Sequence, residues 1–174
     1  MSSASRILDV AEEKMRVSGY HAVSYRDIAA EIGLRSASLH YHFPKKADLG
    51  RALVERYSAR FFEQLSIRSE GLDDQDAIAA FVKLYRDALG ASSRVCLCVM
   101  LGAEGPGLPE AVKRHVQMFI DRNLAWLEDR LQDIGDVDAK RNARRALAAL
   151  QGGMLLSSIS GNIEDFDLAT SAIP

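Results

Sequence analysis

An apolar side chain recurs at every fourth position between residues 49 and 65, and this spacing constrains the fold more than any other feature of the sequence. A four-residue spacing places side chains on one face of an α-helix, whereas a strand would need alternation at every second residue. We therefore predict one long helix from about Lys46 to Ser66 with one face buried. The stripe consists of Leu49, Leu53, Tyr57, Phe61 and Leu65, widened by Ala52 and Phe62.

The remainder of the chain is also predicted to be helical. The 174 residues include only four prolines, show no convincing strand alternation, and are rich in Ala, Leu, Glu and Arg over long stretches. The expected fold class is all-α, with about nine helices. The other predicted helices are Ser5–Val17, a short one between Ser24 and Gly33, Ser36–His42, Asp76–Ala91, Ser93–Gly102, Pro109–Ile134, Asp138–Ser160 and Ile163–Ala172.

Residues 24–43 have the pattern of a helix-turn-helix. Ser24 and Asp27 form an S-x-x-D pattern close to the capping box that opens a helix. Ala29 is small enough for a close helix crossing, and Gly33 permits a sharp turn without a side-chain penalty. Apolar residues suited to lock the two helices together are Ile28, Ile32, Leu34 and Leu39.

The second of these helices offers polar groups that could enter a DNA groove. Residues 32–47 contain no acid, and three cations fall there, although the whole chain carries a net charge of −2. A local basic window beside an acidic remainder fits a focused phosphate contact. Any two short helices joined by glycine would show part of this pattern, and Gly33 alone is more often a simple helix stop. The polar groups are Ser36, Ser38, His40, Tyr41 and His42, and the cations are Arg35, Lys45 and Lys46.

The first third of the chain resembles the N-terminal domain of the TetR family. The residues that carry this resemblance are Ile7-Leu8-Asp9-Val10-Ala11, Gly19-Tyr20, Ser24 to Ala29, Ile32-Gly33-Leu34, and Ser38 to Leu49. The resemblance implies a three-helix N-terminal DNA-binding domain, residues 1–48, and a helical ligand-binding and dimerisation domain, residues 49–174. It also implies a homodimer that represses transcription at a palindromic operator until a small-molecule or electrophile inducer releases it.

Matching residues to the family pattern yields most of the expected DNA contacts, namely Arg26, Ser38, His40, Tyr41, His42 and Lys46. Two positions depart from that pattern: His40 stands where a tyrosine is usual, and Lys45 where a serine or asparagine often caps the next helix. For His42, packing at the helix-turn-helix seam and phosphate contact remain equally open. The expected contacts are Tyr25, Arg26, Arg35, Ser36, Ser38, His40, Tyr41, His42 and Lys46.

The predicted helix Asp138–Ser160 carries a face of small and apolar residues that suits a dimer seam with the last short helix. The alternative is burial against the chain's own helix Pro109–Ile134. A dimer is expected in either case, because one short recognition helix buries too little surface to be specific. The face comprises Ala143, Leu147, Leu150, Met154 and Ser157, with Ala146 and Gly153 beside it.

Several aromatic and sulfur residues are candidates for an effector pocket, although a helical core of this size needs most of them for packing. The segment around Cys96 resembles a subgroup of the family that includes AcuR-like and NemR-like regulators, some of which sense electrophiles through a cysteine. Arg94 would be the group that activates the thiol, but Cys is also commonly buried as a small hydrophobe. The candidates are Phe62, Phe81, Tyr85, Cys96, Met100, Phe119 and Trp126.

No sequence pattern supports an enzyme, a cofactor or a metal site. There is no glycine-rich phosphate loop or Ser/His/Asp spacing, and Cys96, Cys98 and His115 lack structural-zinc spacing. His115 is expected at the surface. The polar N-terminus and short apolar runs predict a cytoplasmic protein. An all-helical enzyme and an interaction module that has lost DNA binding are the alternatives to a regulator.

Overall fold

The computed structural model describes residues 2–89 and 95–174, and all regular structure within these residues is helical. The predicted all-α class is therefore confirmed. In this described part, no helix is both long and apolar enough to cross a membrane. The helices are α1 (Ser3–Ala22), α2 (Tyr25–Ile32), α3 (Ser36–His42), α4 (Lys46–Ser69), α5 (Asp74–Leu89), α6 (Leu97–Ala103), α7 (Glu110–Asp133), α8 (Ala139–Ser160) and α9 (Glu164–Thr170).

The first of two compact units extends to Ala59 and also includes Leu97–Met118. It contains α1, α2, α3 and α6, and α1 packs on each of the other three. Burial of the apolar stripes of these helices supplies the main stabilisation of the unit. Its fully buried side chains include Ile7, Met15, Ile28, Leu39, Leu49 and Leu53.

Helix α1 is longer than predicted and breaks where the sequence indicates a stop. Gly19 has φ +80° and ψ 176°, outside helical geometry, and one further turn follows it up to Ala22. The positive φ is a conformation that glycine adopts without a side-chain penalty. Ser2, which accepts a hydrogen bond from the Ser5 amide, caps the start of the helix.

The second compact unit comprises Arg60–Cys96 and Phe119–Pro174, and it contains α5, α8 and α9. Helix α8 packs on α9 and α5. Its close approach to α9 depends on Gly153, where an added Cβ would lie 3.1 Å from the Ala169 Cβ and 3.3 Å from Phe166.

The face of α8 that was predicted to form the dimer seam is buried within the chain itself. Ala143, Leu147, Leu150, Met154 and Ser157 are all buried, together with Ala146 and Gly153. Helix α8 packs on α9 and α5 of the same chain, and Gly153 on this face lies against Phe166 and Ala169 of α9. Burial of this face against the Pro109–Ile134 helix stays a prediction. The prediction was therefore wrong about which face of α8 remains available.

Most other helix ends lie within a few residues of their predicted positions. Helix α5 begins two residues earlier than predicted, because the Asp73 carboxylate accepts the Asp76 amide at 2.8 Å. The helix predicted from Ser93 begins at Leu97, and Ser93 and Arg94 lie outside the described residues. The division by role into residues 1–48 and 49–174 stays a prediction.

Candidate nucleic-acid interface

A reciprocal capping box opens helix α2. The Ser24 hydroxyl accepts the Asp27 amide at 3.2 Å, and the Asp27 carboxylate accepts the Ser24 amide at 2.9 Å and its hydroxyl at 2.5 Å. These bonds stabilise the ionised form of Asp27 and lower the pKa of its carboxyl group. The S-x-x-D pattern therefore has the capping role that was predicted for it.

Gly33 makes the turn between α2 and α3 with φ +68°. The left-handed conformation lets the amides of Gly33 and Leu34 bond back to the Ala29 carbonyl. Arg6 from α1 donates to the Ile32 carbonyl at 3.0 Å, which satisfies another group at the same helix end. The end of α2 is thereby held by its own Ala29 carbonyl, by the turn at Gly33 and by Arg6 of α1, and the chain enters α3 from this fixed point.

Helix α3 presents a polar face outward from a single buried anchor. Leu39 is fully buried, whereas the Tyr41 side chain is 84% exposed. A groove of about 520 Å³ runs along this helix. Of the predicted contacts on this segment, Arg35, His40, Tyr41 and His42 are exposed, and Ser36 and Ser38 are half-exposed. The helix can therefore offer hydroxyl, imidazole and guanidinium groups to one external surface.

Tyr25 occupies a different position from the one predicted. It is 9% exposed, and its hydroxyl donates to the Phe43 carbonyl at 2.7 Å. Burial raises the pKa of this hydroxyl to about 12. Its ring also lies 4.6 Å from that of His40. Tyr25 therefore ties α2 to the end of α3 and supports the polar face, which corrects the prediction of a direct DNA contact.

Lys46 points toward protein groups as well. Its ammonium donates to the His21 carbonyl at 3.3 Å and lies 4.5 Å from the centre of the Tyr20 ring. Burial lowers the pKa of this ammonium. Lys46 thus helps to join the start of α4 to the end of α1. A phosphate contact, as predicted for Lys46, would use an ammonium group that already binds the His21 carbonyl.

His42 and Arg26 are exposed on neighbouring helices. For His42, the ring lies 5.3 Å from the Tyr41 ring in an edge arrangement, and its exposure favours the contact alternative over packing at the seam. Arg26 lies in the first turn of α2, in the same unit as α3. Its guanidinium is the group best suited to a bidentate contact with guanine.

In the second unit, most of the residues predicted to line an effector pocket form an aromatic cluster. Phe81 stacks on Trp126 with ring centres 5.0 Å apart, and Phe62 meets Phe119 edge-on at 5.9 Å. The ring of Phe61 contacts those of Phe81, Tyr85 and Phe119, with ring centres 5.2 to 6.1 Å apart. Five of the seven predicted residues are thus brought together, namely Phe62, Phe81, Tyr85, Phe119 and Trp126.

A buried polar pair lies within this cluster. The Tyr85 hydroxyl donates to the Asn123 amide oxygen at 3.1 Å, and the Asn123 NH₂ group donates to the Phe119 carbonyl at 2.7 Å. Both side chains are fully buried. Asn123 was not among the residues predicted from the sequence. The available signal was its position as the one amide in the otherwise apolar helical stripe Val112, Val116, Phe119, Leu127 and Leu131.

The other predicted pocket residues are placed differently. Met100 lies on α6 and belongs to the first unit, whereas the residues of the aromatic cluster belong to the second. Cys96 and Cys98 are each 1% exposed, and Arg94, the predicted activating group, lies outside the described residues. Over residues 2–89 and 95–174, no group of His, Cys, Asp and Glu could hold a metal ion.

His115 is half-buried rather than at the surface. Its Nδ1 lies 2.7 Å from the Ala111 carbonyl oxygen, and its Nε2 lies 2.9 Å from a Glu55 carboxylate oxygen. The bond to Ala111 follows from the helical spacing of four residues, whereas the Glu55 contact is tertiary and has no local signature. The predicted surface position was therefore wrong.

Comparisons with known proteins agree with this geometry. Residues 7–53 match the family described as bacterial regulatory proteins, tetR family. The HTH-type transcriptional regulator UidR of Escherichia coli K12 is 29% identical over 97% of this chain and 85% of its own length. The HTH-type transcriptional repressor KstR2 of Rhodococcus jostii is 29% identical over 51% of this chain and 44% of its own.

A solved structure extends the likeness to the whole fold. The TetR transcriptional regulator from Legionella pneumophila superimposes with a TM-score of 0.93 and 27% identity, over 98% of this chain and 95% of that one. The agreement covers the helix-turn-helix and the helical remainder alike.

Proposed function

This chain belongs to the TetR family of DNA-binding transcriptional regulators, and we propose that it is a dimeric repressor that a small molecule releases from its operator. Its relatives are regulators, so the chain is a regulator and not an enzyme. The observation that carries the proposal is the outward polar face of α3, held by the buried anchor Leu39 and the Tyr25–Phe43 hydrogen bond. The protein would act in the cytoplasm, where operator DNA lies.

The side chains on this face suit different parts of a DNA groove. Tyr41 and Ser38 can donate to phosphate oxygens, as can Ser36. Arg26 and Arg35 can form bidentate hydrogen bonds with guanine, and the imidazoles of His40 and His42 can each donate or accept at a base edge or phosphate. Lys46 would add positive charge behind these contacts.

The second copy in the proposed dimer would dock on the outward face of α8. This face, defined here as residues 141, 144, 145, 148, 152, 155, 156 and 159, is opposite to the buried one. Its C-terminal end is apolar, since Leu155, Leu156 and Ile159 are 38%, 57% and 84% exposed. At Gly152 an added Cβ would meet nothing within 4 Å, so a second helix could approach closely.

Charges near the two ends of α8 support a two-fold arrangement. The N-terminal end of the helix carries exposed Arg144 and Arg145, and exposed Glu164 opens α9 just beyond the other end of α8. If two copies of α8 run antiparallel, the cations of each copy face the acid of the other and the apolar ends lie toward the centre. Opposite charges would then fix the register of the pair.

The effector would bind among the aromatic rings of the second unit, with the Tyr85–Asn123 pair as its polar contact. Flat apolar rings around one hydroxyl and one amide suit a small, mostly apolar molecule with a hydrogen-bonding group. Binding would favour a conformation in which the two recognition helices no longer match successive major grooves. The KstR2 relative, a repressor by name, favours repression as the direction of control.

An electrophile that modifies Cys96 is the second form of inducer considered. The 1% exposure of Cys96 favours a core role over a sensor role, because a reactive thiol needs access. Cys96→Ser separates the two: an unchanged response to electrophiles such as N-ethylmaleimide is expected, and loss of that response would make Cys96 the sensor. A thermal-shift screen of small aromatic compounds would identify a non-covalent effector, because a bound ligand stabilises the folded state.

The proposed DNA binding is tested by a gel shift with the DNA upstream of the protein's own gene. We expect a sequence-dependent shift that weakens as salt is raised, because phosphate contacts release counterions. Tyr41→Ala should weaken it while leaving the fold intact, and Val137→Ala, at another highly exposed position, should not change it. Failure of the wild-type protein to shift this or any randomised duplex would refute the proposal.

A further inference from the structure

The break in helix α1 is built around the carboxylate of Glu104. An added Cβ at Gly19 would lie 2.5 Å from Glu104 Oε1 and 2.9 Å from its carboxyl carbon. Any side chain at position 19 would therefore displace the carboxylate, in addition to the strain of a φ of +80°. Gly19 thus has a tertiary role beyond stopping the helix.

The same carboxylate binds the backbone just after the break. The Tyr20 amide donates to Glu104 Oε2 at 2.6 Å, and the His21 amide donates to Oε1 at 3.4 Å. Hydrogen bonds to an ionised acceptor are shorter and stronger than those between neutral groups. Glu104, immediately after α6, is therefore fastened to the last turn of α1.

Two further contacts join the same stretches of chain. His21 Nε2 lies 3.1 Å from the Gly107 carbonyl oxygen. An added Cβ at Gly50 would lie 2.8 Å from Val112 and 2.9 Å from Tyr20, so α4 admits both side chains only because residue 50 has none. Lys46, on the same helix as Gly50, donates to the His21 carbonyl. The contacts therefore bring three stretches of chain together: residues 104–112, the end of α1 and the start of α4.

We propose that Glu104 is a positioning residue for DNA binding, which holds the Gly19–His21 turn and thereby the start of α4 in the geometry that supports α3. The inference rests on the proposed function. It adds that the segment after α6, which lies outside the helix-turn-helix sequence, takes part in setting the position of the recognition helix. A change in that segment would reach α3 through the backbone of Tyr20 and His21.

The test is Glu104→Gln, with Glu110→Gln as its matched control. Both remove one negative charge from the same segment, and Glu110 is exposed at the first turn of α7. Loss of a negative charge alone should leave DNA binding unchanged or tighten it. We expect Glu104→Gln to bind the operator about tenfold more weakly, because an NH₂ donor would replace one of the two oxygens and face a backbone N–H group. Glu110→Gln should bind at least as well as the wild type.

A second readout follows the bond itself. In the wild-type protein the Tyr20 amide proton should resonate far downfield, as short charge-assisted bonds require, and this shift should disappear in Glu104→Gln. Operator binding is measured at a temperature well below the midpoint of thermal unfolding of each variant, so that every variant is folded. If Glu104→Gln does not fold, Glu104→Asp, whose shorter arm cannot reach both amides, takes its place with the same expectation.

The outcomes separate the inference from the proposed function. No DNA binding by the wild-type protein defeats the proposed function. Wild-type binding with unchanged affinity in the folded Glu104 variant, or an equal loss in Glu110→Gln, overturns the role of Glu104 alone. An unshifted Tyr20 amide in the wild-type protein does the same.

Discussion

Tyr25 and Tyr41 have the same side chain and lie in the same helix-turn-helix, but they face opposite ways. Tyr41 is 84% exposed, whereas Tyr25 is 9% exposed with its hydroxyl bonded to Phe43. The position of Tyr41 supports a DNA contact, and that of Tyr25 supports the scaffold beneath it. The two therefore have different consequences when they are changed.

Tyr25→Phe should lower the free energy of unfolding by about 1 kcal/mol, because the Phe43 carbonyl loses its donor in a buried place. Because the pKa of Tyr25 is raised on folding, its contribution to the free energy of unfolding depends on pH. This contribution is complete below pH 10 and is lost as pH rises from 10 to about 12. The difference between wild type and variant, measured by urea unfolding, should shrink over that interval. Tyr41→Phe is the control and should not change stability; equal stabilities of wild type and Tyr25→Phe at neutral pH would contradict the assignment.

The comparison of these two tyrosines marks what could be predicted from the sequence. The outward polar face of residues 35–42 and the turn at Gly33 could be predicted from local sequence pattern, and both are present in the structure. The direction of Tyr25 and the internal partners of Lys46 depend on groups such as Phe43 and His21, which no local spacing indicates.

Helix α2 owes its start to Ser24 and its end to Gly33, and both were predicted from the sequence. Ser24→Ala should lower the free energy of unfolding by about 1 kcal/mol, since the N-cap hydroxyl satisfies an otherwise free amide. Thermal or urea unfolding measures the change. Ser66→Ala, at an exposed serine inside α4, is the matched control and should cost nothing. Equal losses in both variants would contradict the capping role.

Prediction of the helices failed where tertiary contacts decide the outcome. The turn after Gly19 is held by Glu104, which is distant in sequence, so α1 extends beyond the predicted end at Val17. The buried face of α8 could not be distinguished from a dimer seam, because small apolar residues suit either kind of contact. The last short helix was predicted to take part in this seam, but the approach of Phe166 and Ala169 to Gly153 shows that α9 of the same chain covers the face.

The proposed dimer makes the outward face of α8 decisive for the assembled protein. Ile159→Asp should convert the dimer to a monomer and weaken operator binding, because a charge would be buried at the apolar end of the seam. Val137→Asp adds the same charge at a position that is 99% exposed and off that face, and it should remain dimeric. Light scattering after size-exclusion chromatography measures the mass; a dimeric Ile159→Asp would contradict the assigned face.

The central claim is that α3 enters the groove of operator DNA, and photo-cross-linking tests it most directly. A benzophenone side chain introduced at exposed Ala37, on the groove of α3, should cross-link to the bases of a bound operator duplex. The same side chain at Val137 should not. A cross-link from position 137 with none from position 37, in a protein that still binds the duplex, would contradict the account.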